Sequence, residues 1–188
     1  MDELVVARHG ESEASARGVV GGDTLLTERG RAHARELGER LKHFPADVCV
    51  TSAARRARET AAIALEGRSI PLEAMPELGD VRFGAFEGGP LQEYRAWIQA
   101  HDPADAPPGG ESRVETLRRF AHAFRELAGR SERRILVVAH GITVRALVDE
   151  RPRAIVADAP YGGAVELSRA ELATALERLE RWCESPAW

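Results

Sequence analysis

Three short apolar runs constrain this chain more than anything else in it: ELVVA at 3–7, ADVCVT at 46–51 and RILVVA at 134–139. None alternates apolar with polar residues, so each needs cover on both faces. That is the pattern of strands in a parallel sheet held between two layers of helices, and the intervening stretches supply helical periodicity. Residues 28–44 bring Leu37, Leu41 and Phe44 to one side, with Thr27 as N-cap and Glu28 in the first turn complementing the dipole. Residues 54–66 repeat the pattern through Ala57, Ala61, Ala64 and Leu65. Residues 113–128 do so through Val114, Leu117, Ala121, Phe124 and Ala128, and about 169–182 through Leu172, Leu176 and Leu179. AVELS at 164–168 reads as one more strand. The expectation is an α/β fold, a three-layer sandwich around a largely parallel central sheet.

The 188 residues fit one domain, 1–188. Its irregular part is about 76–112, where GAFEGGP, a short amphipathic helix at 91–101 and the Pro/Gly/Asp-rich DPADAPPGGES follow one another. This segment is too short for an interdomain linker and reads as an excursion over one edge of the sheet. A formal net charge of −4 offers no basic footprint for nucleic acid or for an anionic membrane surface. No stretch approaches the ~18 apolar residues of a membrane span. The start, MDELVVARHG, has acids where a signal peptide has basic residues. Cys49 and Cys183 make neither a disulfide framework nor a zinc-ligand spacing, so a reducing cytoplasmic setting, no metal and no cofactor are expected.

The ends of the apolar runs carry the chemistry. The first ends at Arg8-His9 and the third at His140-Gly141, and ligands collect outside the carboxyl ends of strands in open α/β sheets. The second leads into TSAARRARETA, where Arg55, Arg56 and Arg58 open a helix whose free N–H groups attract anions. Two imidazoles and at least two guanidiniums therefore converge. That set suits a phosphate dianion, because guanidinium binds phosphate oxygens bidentately and a neutral imidazole is a competent nucleophile. Phosphoryl transfer asks for positioning and charge stabilisation, which fixed guanidiniums supply. In this reading Arg8 is the clamp and His9 the attacking group.

VVARHGES, TSAARRARETA, FGAFEG and VVAHG occur in this order, with LLTERG and PPGGES between them. Together they resemble the histidine phosphatase superfamily, in its phosphoglycerate mutase-like branch, over about residues 3–145. The resemblance implies that fold, and that His9 becomes phosphohistidine while Arg8, Arg56 and His140 bind the transferring phosphoryl group. Gly141 offers close backbone approach and its N–H. The family's RAxxTA pattern maps onto Arg56, Ala57, Thr60 and Ala61, which leaves Arg55 and Arg58 on the helix surface. Two positions depart from the pattern. The acid/base Glu expected three residues before the Phe-Gly pair is Asp80, one methylene shorter, with Glu87 as the other carboxylate in reach. An Asn expected soon after RHG is replaced by Ser15, whose hydroxyl can still bond a phosphate oxygen. Arg17 and Arg82 are candidate contacts to the non-phosphate end of a substrate, and Tyr94 and Trp97 either pack the excursion's helix or wall the pocket. The implied protein is a metal-independent, acid-type phosphatase acting on a small phosphorylated metabolite. The alternatives are a phosphoglycerate mutase and a weakened module that only binds phosphorylated ligands.

Overall fold

The computed structural model describes residues 1–154 and 159–188. The three apolar runs become β1 (Glu3–Arg8), β2 (Val48–Thr51) and β4 (Arg134–Ala139), and the sheet is completed by β3 (Leu72–Ala74) and β5 (Ala164–Ser168). The strand order is β3-β2-β4-β1-β5. β1, β2, β3 and β4 pair in parallel, and β5 runs antiparallel to β1 along the edge, Val6 facing Val165. Edge position explains why AVELS alternates half-buried and exposed residues while the inner strands are apolar throughout.

Among the described residues the helices are α1 (Glu13–Ala16), α2 (Glu28–Arg40), α3 (Arg55–Ala64), α4 (Leu91–Gln99), α5 (Arg113–Ala128), α6 (Gly141–Val148) and α7 (Arg169–Glu184). Successive strand residues feed opposite layers. Leu4, Val6, Ile135 and Val137 meet Leu117, Phe120, Phe124, Leu172, Leu176 and Leu179 on one side. Val5, Ala7, Leu136 and Val138 meet Leu37, Leu41, Ala57 and Ala61 on the other. This is the expected three-layer α/β arrangement. Thr27 caps α2 by accepting from the Gly30 N–H, and Ser112 and Ser168 start α5 and α7 with capping boxes.

Three features differ from the sequence reading. α2 stops at Arg40, because Leu41 turns out of helical geometry to bury its side chain and Phe44 follows in a turn. β3 and α6 had no clear signal: the first is three exposed residues on an edge, and the second follows β4 after a single residue. The excursion leaves the sheet at the edge strand but closes over the carboxyl ends of the strands. Its Val81, Phe83, Tyr94 and Ile98 form a third small apolar cluster with Val20 there.

Candidate active site

β1 delivers His9 to the carboxyl end of the sheet, where the residue is 4% exposed and its N–H bonds the Ala139 carbonyl of β4 at 2.9 Å. The turn that follows is pressed against α2. A Cβ on Gly10 would sit 2.3 Å from the Gly30 carbonyl oxygen, and one on Gly30 only 1.9 Å from that of Glu11. The glycines of RHGES and LLTERG are thus two sides of one backbone crossing. The Gly10 N–H donates to Thr60 Oγ1 at 3.0 Å, and that hydroxyl donates to the Arg56 carbonyl at 2.7 Å. Thr60, fully buried on α3, therefore ties the His9 turn to the segment carrying Arg56.

The tautomer of His9 is set by its partner. Nδ1 lies 2.6 Å from the Gly10 carbonyl oxygen, which can only accept, so the proton is on Nδ1 and the lone pair on Nε2. Arg56 Nε–H points at that lone pair from 3.2 Å. Burial, reinforced by His140, Arg56 and Arg8, holds the His9 pKa well below the ordinary imidazole value, so the ring is neutral near pH 7. A neutral imidazole that presents its Nε2 lone pair to a cationic pocket is chemically able to act as a nucleophile.

His140, the N-cap of α6, stands edge-on to His9 with ring centroids 5.2 Å apart. Its Nε2 lies 2.9 Å from Ser52 Oγ, and its Nδ1 lies 3.3 Å from both Asp80 Oδ2 and Arg56 Nη2. Burial lowers its pKa to about 4, with the nearby guanidiniums adding to the effect and Asp80 opposing it. Arg56 also bonds Asp80 at 3.1 Å and the Gly22 carbonyl at 2.9 Å. Burial alone raises a carboxyl pKa, but the positive charge around Asp80, from His140 and Arg56 first, outweighs it and holds the group at about 2. Asp80 is therefore ionised before any substrate arrives. The Arg8 guanidinium lies over the Tyr161 ring, 3.8 Å from its centroid, and donates to the Ala159 carbonyl. A Cβ on Gly141 would come within 3.2 Å of Arg8 Nε, so glycine at the start of α6 lets that helix approach the clamp.

Arg8, His9, Arg56, Asp80, Gly141 and Ser15 line one cavity of about 180 Å³, and His140 meets two of these lining residues, Arg56 and Asp80. Not every candidate performs the contact expected of it. The Ser15 hydroxyl closes a capping box, accepting from the Ser12 N–H at 2.8 Å and donating to the Ser12 carbonyl at 2.9 Å, so its proton is already committed. Arg17 is exposed at the end of α1, outside the cavity wall. Arg82 is also outside it, 72% exposed and bound to Glu111 at 3.1 Å. Glu87 accepts from the Gly22 N–H at 2.7 Å and does not reach the cavity. The other arginines lining the wall are Arg95, Arg113 and Arg145. Tyr94 lines it too, whereas Trp97 packs beside it in the excursion's cluster. Ser52, Thr60 and Tyr161 act through contacts between distant segments, which in general leave no local signal. The exception is Thr60, which the RAxxTA pattern marks.

Residues 4–183 match the family profile described as histidine phosphatase superfamily, branch 1. The chain is 39% identical over 164 residues to a 2,3-bisphosphoglycerate-dependent phosphoglycerate mutase of Methylobacterium sp., covering 77% of this chain and 78% of the relative. It is 34% identical over 148 residues to the adenosylcobalamin/alpha-ribazole phosphatase of Salmonella typhimurium, covering 73% of each. Among solved structures it is similar to Bacillus stearothermophilus YhfR, with a TM-score of 0.75, 29% identity and coverage of 87% of this chain and 89% of that one. It is also similar to the mycobacterial glucosyl-3-phosphoglycerate phosphatase solved with VO3, with a TM-score of 0.73, 27% identity and coverage of 89% and 91%.

Proposed function

The chain belongs to the histidine phosphatase superfamily, branch 1, and from that premise we propose that it hydrolyses a small phosphomonoester through a phosphohistidine at His9. The observation that carries the reading is the Gly10 carbonyl fixing the Nδ1 proton, which leaves Nε2 as a lone pair between Arg56 and the cavity. The phosphoryl group sits between the guanidiniums of Arg8 and Arg56, with His140 beside it. Nε2 attacks phosphorus and the P–O ester bond breaks, its electron pair leaving with the ester oxygen. Asp80 protonates that oxygen. Because Asp80 enters ionised, its proton arrives with the substrate, from the monoanionic form of the phosphate, whose second pKa is ~6. In the second step Asp80 takes a proton from water, the hydroxide oxygen bonds phosphorus, the P–N bond breaks to return neutral His9, and Asp80 passes its proton to the departing phosphate and is ionised again. The proton dependence of this cycle is why the reading is of the acid type.

Hydrolysis is favoured over return of the phosphoryl group to the substrate by the exposure pattern. His9 and His140 are 4% and 1% exposed, while the Asp80 side chain keeps 28% of its surface accessible. Water thus reaches the acid/base carboxylate beside an otherwise buried phosphohistidine. The assembled His9, Arg8, Arg56, His140 and Asp80 set argues against a module that only binds. The second reading, a phosphoglycerate mutase, draws on the Methylobacterium relative. The two free cysteines are buried in separate parts of the core, Cys49 with its thiol pushed up to about 12 by burial, which suits a cytoplasmic protein.

The experiment supplies 3-phosphoglycerate with and without 2,3-bisphosphoglycerate and follows phosphate and 2-phosphoglycerate together. Phosphate release without the bisphosphate is expected, together with an acid-labile phosphoryl group trappable on wild type and absent from His9→Ala. Formation of 2-phosphoglycerate that needs the bisphosphate and outpaces phosphate release establishes the mutase instead. Retention of a tenth or more of kcat by His9→Ala overturns the nucleophile.

A further inference from the structure

The cavity holds more positive charge than one phosphate needs, and one of its cations is differently placed from the rest. Arg56 is bound to Asp80, and Arg145 is bound to Asp149 through Nε at 3.0 Å and Nη2 at 2.6 Å. Arg113, the first residue of α5, lines the cavity half-buried. Among the described residues its guanidinium makes no hydrogen bond and no ion pair, and its Cζ lies 5.9 Å from the centre of the Trp188 ring. The carboxylates around it are taken. Glu111 accepts from Arg82 Nε at 3.1 Å, from Arg119 Nε at 3.3 Å and from Arg119 Nη2. Asp80 is held by Arg56 and His140. Withdrawing a guanidinium partly from water without a counter-charge is unfavourable, and an anionic ligand reverses that cost.

Its position says which part of a ligand it meets. Arg56 bonds His9 directly and Arg8 precedes it on β1, whereas Arg113 follows the Ser112 N-cap of α5 and shares a second, smaller recess with Tyr94, Ile98 and Trp188. It therefore stands at the excursion's end of the cavity, next to the apolar wall of Phe83, Tyr94 and Ile98, where the part of a ligand beyond its phosphate would lie. We propose that Arg113 is the recognition point for a second anion, so that the substrate is a phosphomonoester whose leaving group carries a carboxylate or a second phosphate. The body between the two charges lies along Phe83, Tyr94 and Ile98. Arg17 and Arg82, outside the cavity, take no part. The inference rests on the phosphatase reading above and narrows its substrate class.

The test uses the whole protein and three propyl phosphates that differ only at the far carbon, which bears a carboxylate, a second phosphate or a neutral carboxamide. In wild type kcat/KM is expected to be about tenfold or more higher for at least one anionic ester than for the carboxamide, since a hydrogen-bonded charge pair is worth that factor. The better of the two anionic esters identifies the natural charge. Arg113→Gln is expected to bring the ratio to within about twofold of one, and Arg113→Lys, which keeps the charge without the fork, to retain part of it. A ratio near one in wild type, or one that survives in Arg113→Gln, overturns the subsite and leaves the phosphatase reading standing. If no ester is turned over, the same ratios are read as dissociation constants by calorimetry. Preferential binding of an anionic ester that disappears in Arg113→Gln then supports the subsite while the phosphatase reading falls.

Discussion

Replacing Asp80 with Asn separates proton transfer from the rest of the site. Asn is isosteric and keeps an oxygen for the Val81 N–H, which Oδ1 accepts at 3.0 Å, so the turn retains its anchor. What is lost is the charge that Oδ2 presents 3.1 Å from Arg56 Nη2 and 3.3 Å from His140 Nδ1. Two effects of opposite sign result. Without a donor to the ester oxygen, alkyl phosphates slow by ~10²–10⁴-fold, whereas p-nitrophenyl phosphate, whose leaving group scarcely needs a proton, slows by less than ~10-fold. Arg56, meanwhile, is released from a competing carboxylate. A unit charge about 4 Å away is worth about 1 kcal/mol even at the dielectric constant of water. Since 1.4 kcal/mol is tenfold in an equilibrium constant, inorganic phosphate should inhibit the variant about fivefold more tightly or better. Steady-state kinetics on both esters, with phosphate as competitive inhibitor, read all three quantities. Equal slowing of the two esters, or weaker inhibition by phosphate, refutes the assignment of Asp80 as the proton donor.

Stability should respond to pH through His140. The unfolded imidazole protonates near 6.5 while the folded one resists until about 4, so stability is lost as pH falls through that window, by on the order of 3 kcal/mol. Melting curves from pH 7 to pH 4 should show wild type falling more steeply than His140→Gln, and parallel curves would contradict this. Metal removal should leave turnover intact, because Arg8, Arg56 and the start of α6 already supply the positive charge, and vanadate should inhibit as a mimic of the trigonal phosphoryl group. Reproducible loss in EDTA with recovery in Mg²⁺ or Zn²⁺ counts against that. Finally, Gly30→Ala forces a Cβ to within 1.9 Å of the Glu11 carbonyl oxygen and should cost about 1–3 kcal/mol or more in urea unfolding. Gly129→Ala meets nothing nearer than 3.4 Å and should stay within about 0.5 kcal/mol of wild type, so equal losses would place the cause elsewhere.

Much of the site was legible because the residues that matter sit where strands end. Continuous apolar runs required a doubly covered parallel sheet, and such a sheet brings the ends of neighbouring strands together whatever the details of the loops. Arg8 and His9 ending β1, and His140 and Gly141 following its neighbour β4, were expected to face one crevice with an arginine from the head of α3, and only the resemblance to the RAxxTA pattern singled out Arg56 from Arg55 and Arg58. The chain alone therefore determined the fold class and the phosphate end of the pocket. The other end was decided only by tertiary structure. Arg17 and Arg82 lie close in sequence to the motif residues, yet one is exposed at a helix end and the other is turned away onto Glu111. Arg113, which belongs to no motif, enters the cavity because α5 begins beneath the excursion. Ser15 carries a hydroxyl of the right kind for a phosphate oxygen, yet in the fold it closes the cap of α1. The same holds for Ser52 against His140, 88 residues away, and for Tyr161 under Arg8. A strand fixes the direction of its side chains locally through its two-residue repeat, whereas the direction of a loop side chain depends on which distant groups compete for its polar atoms.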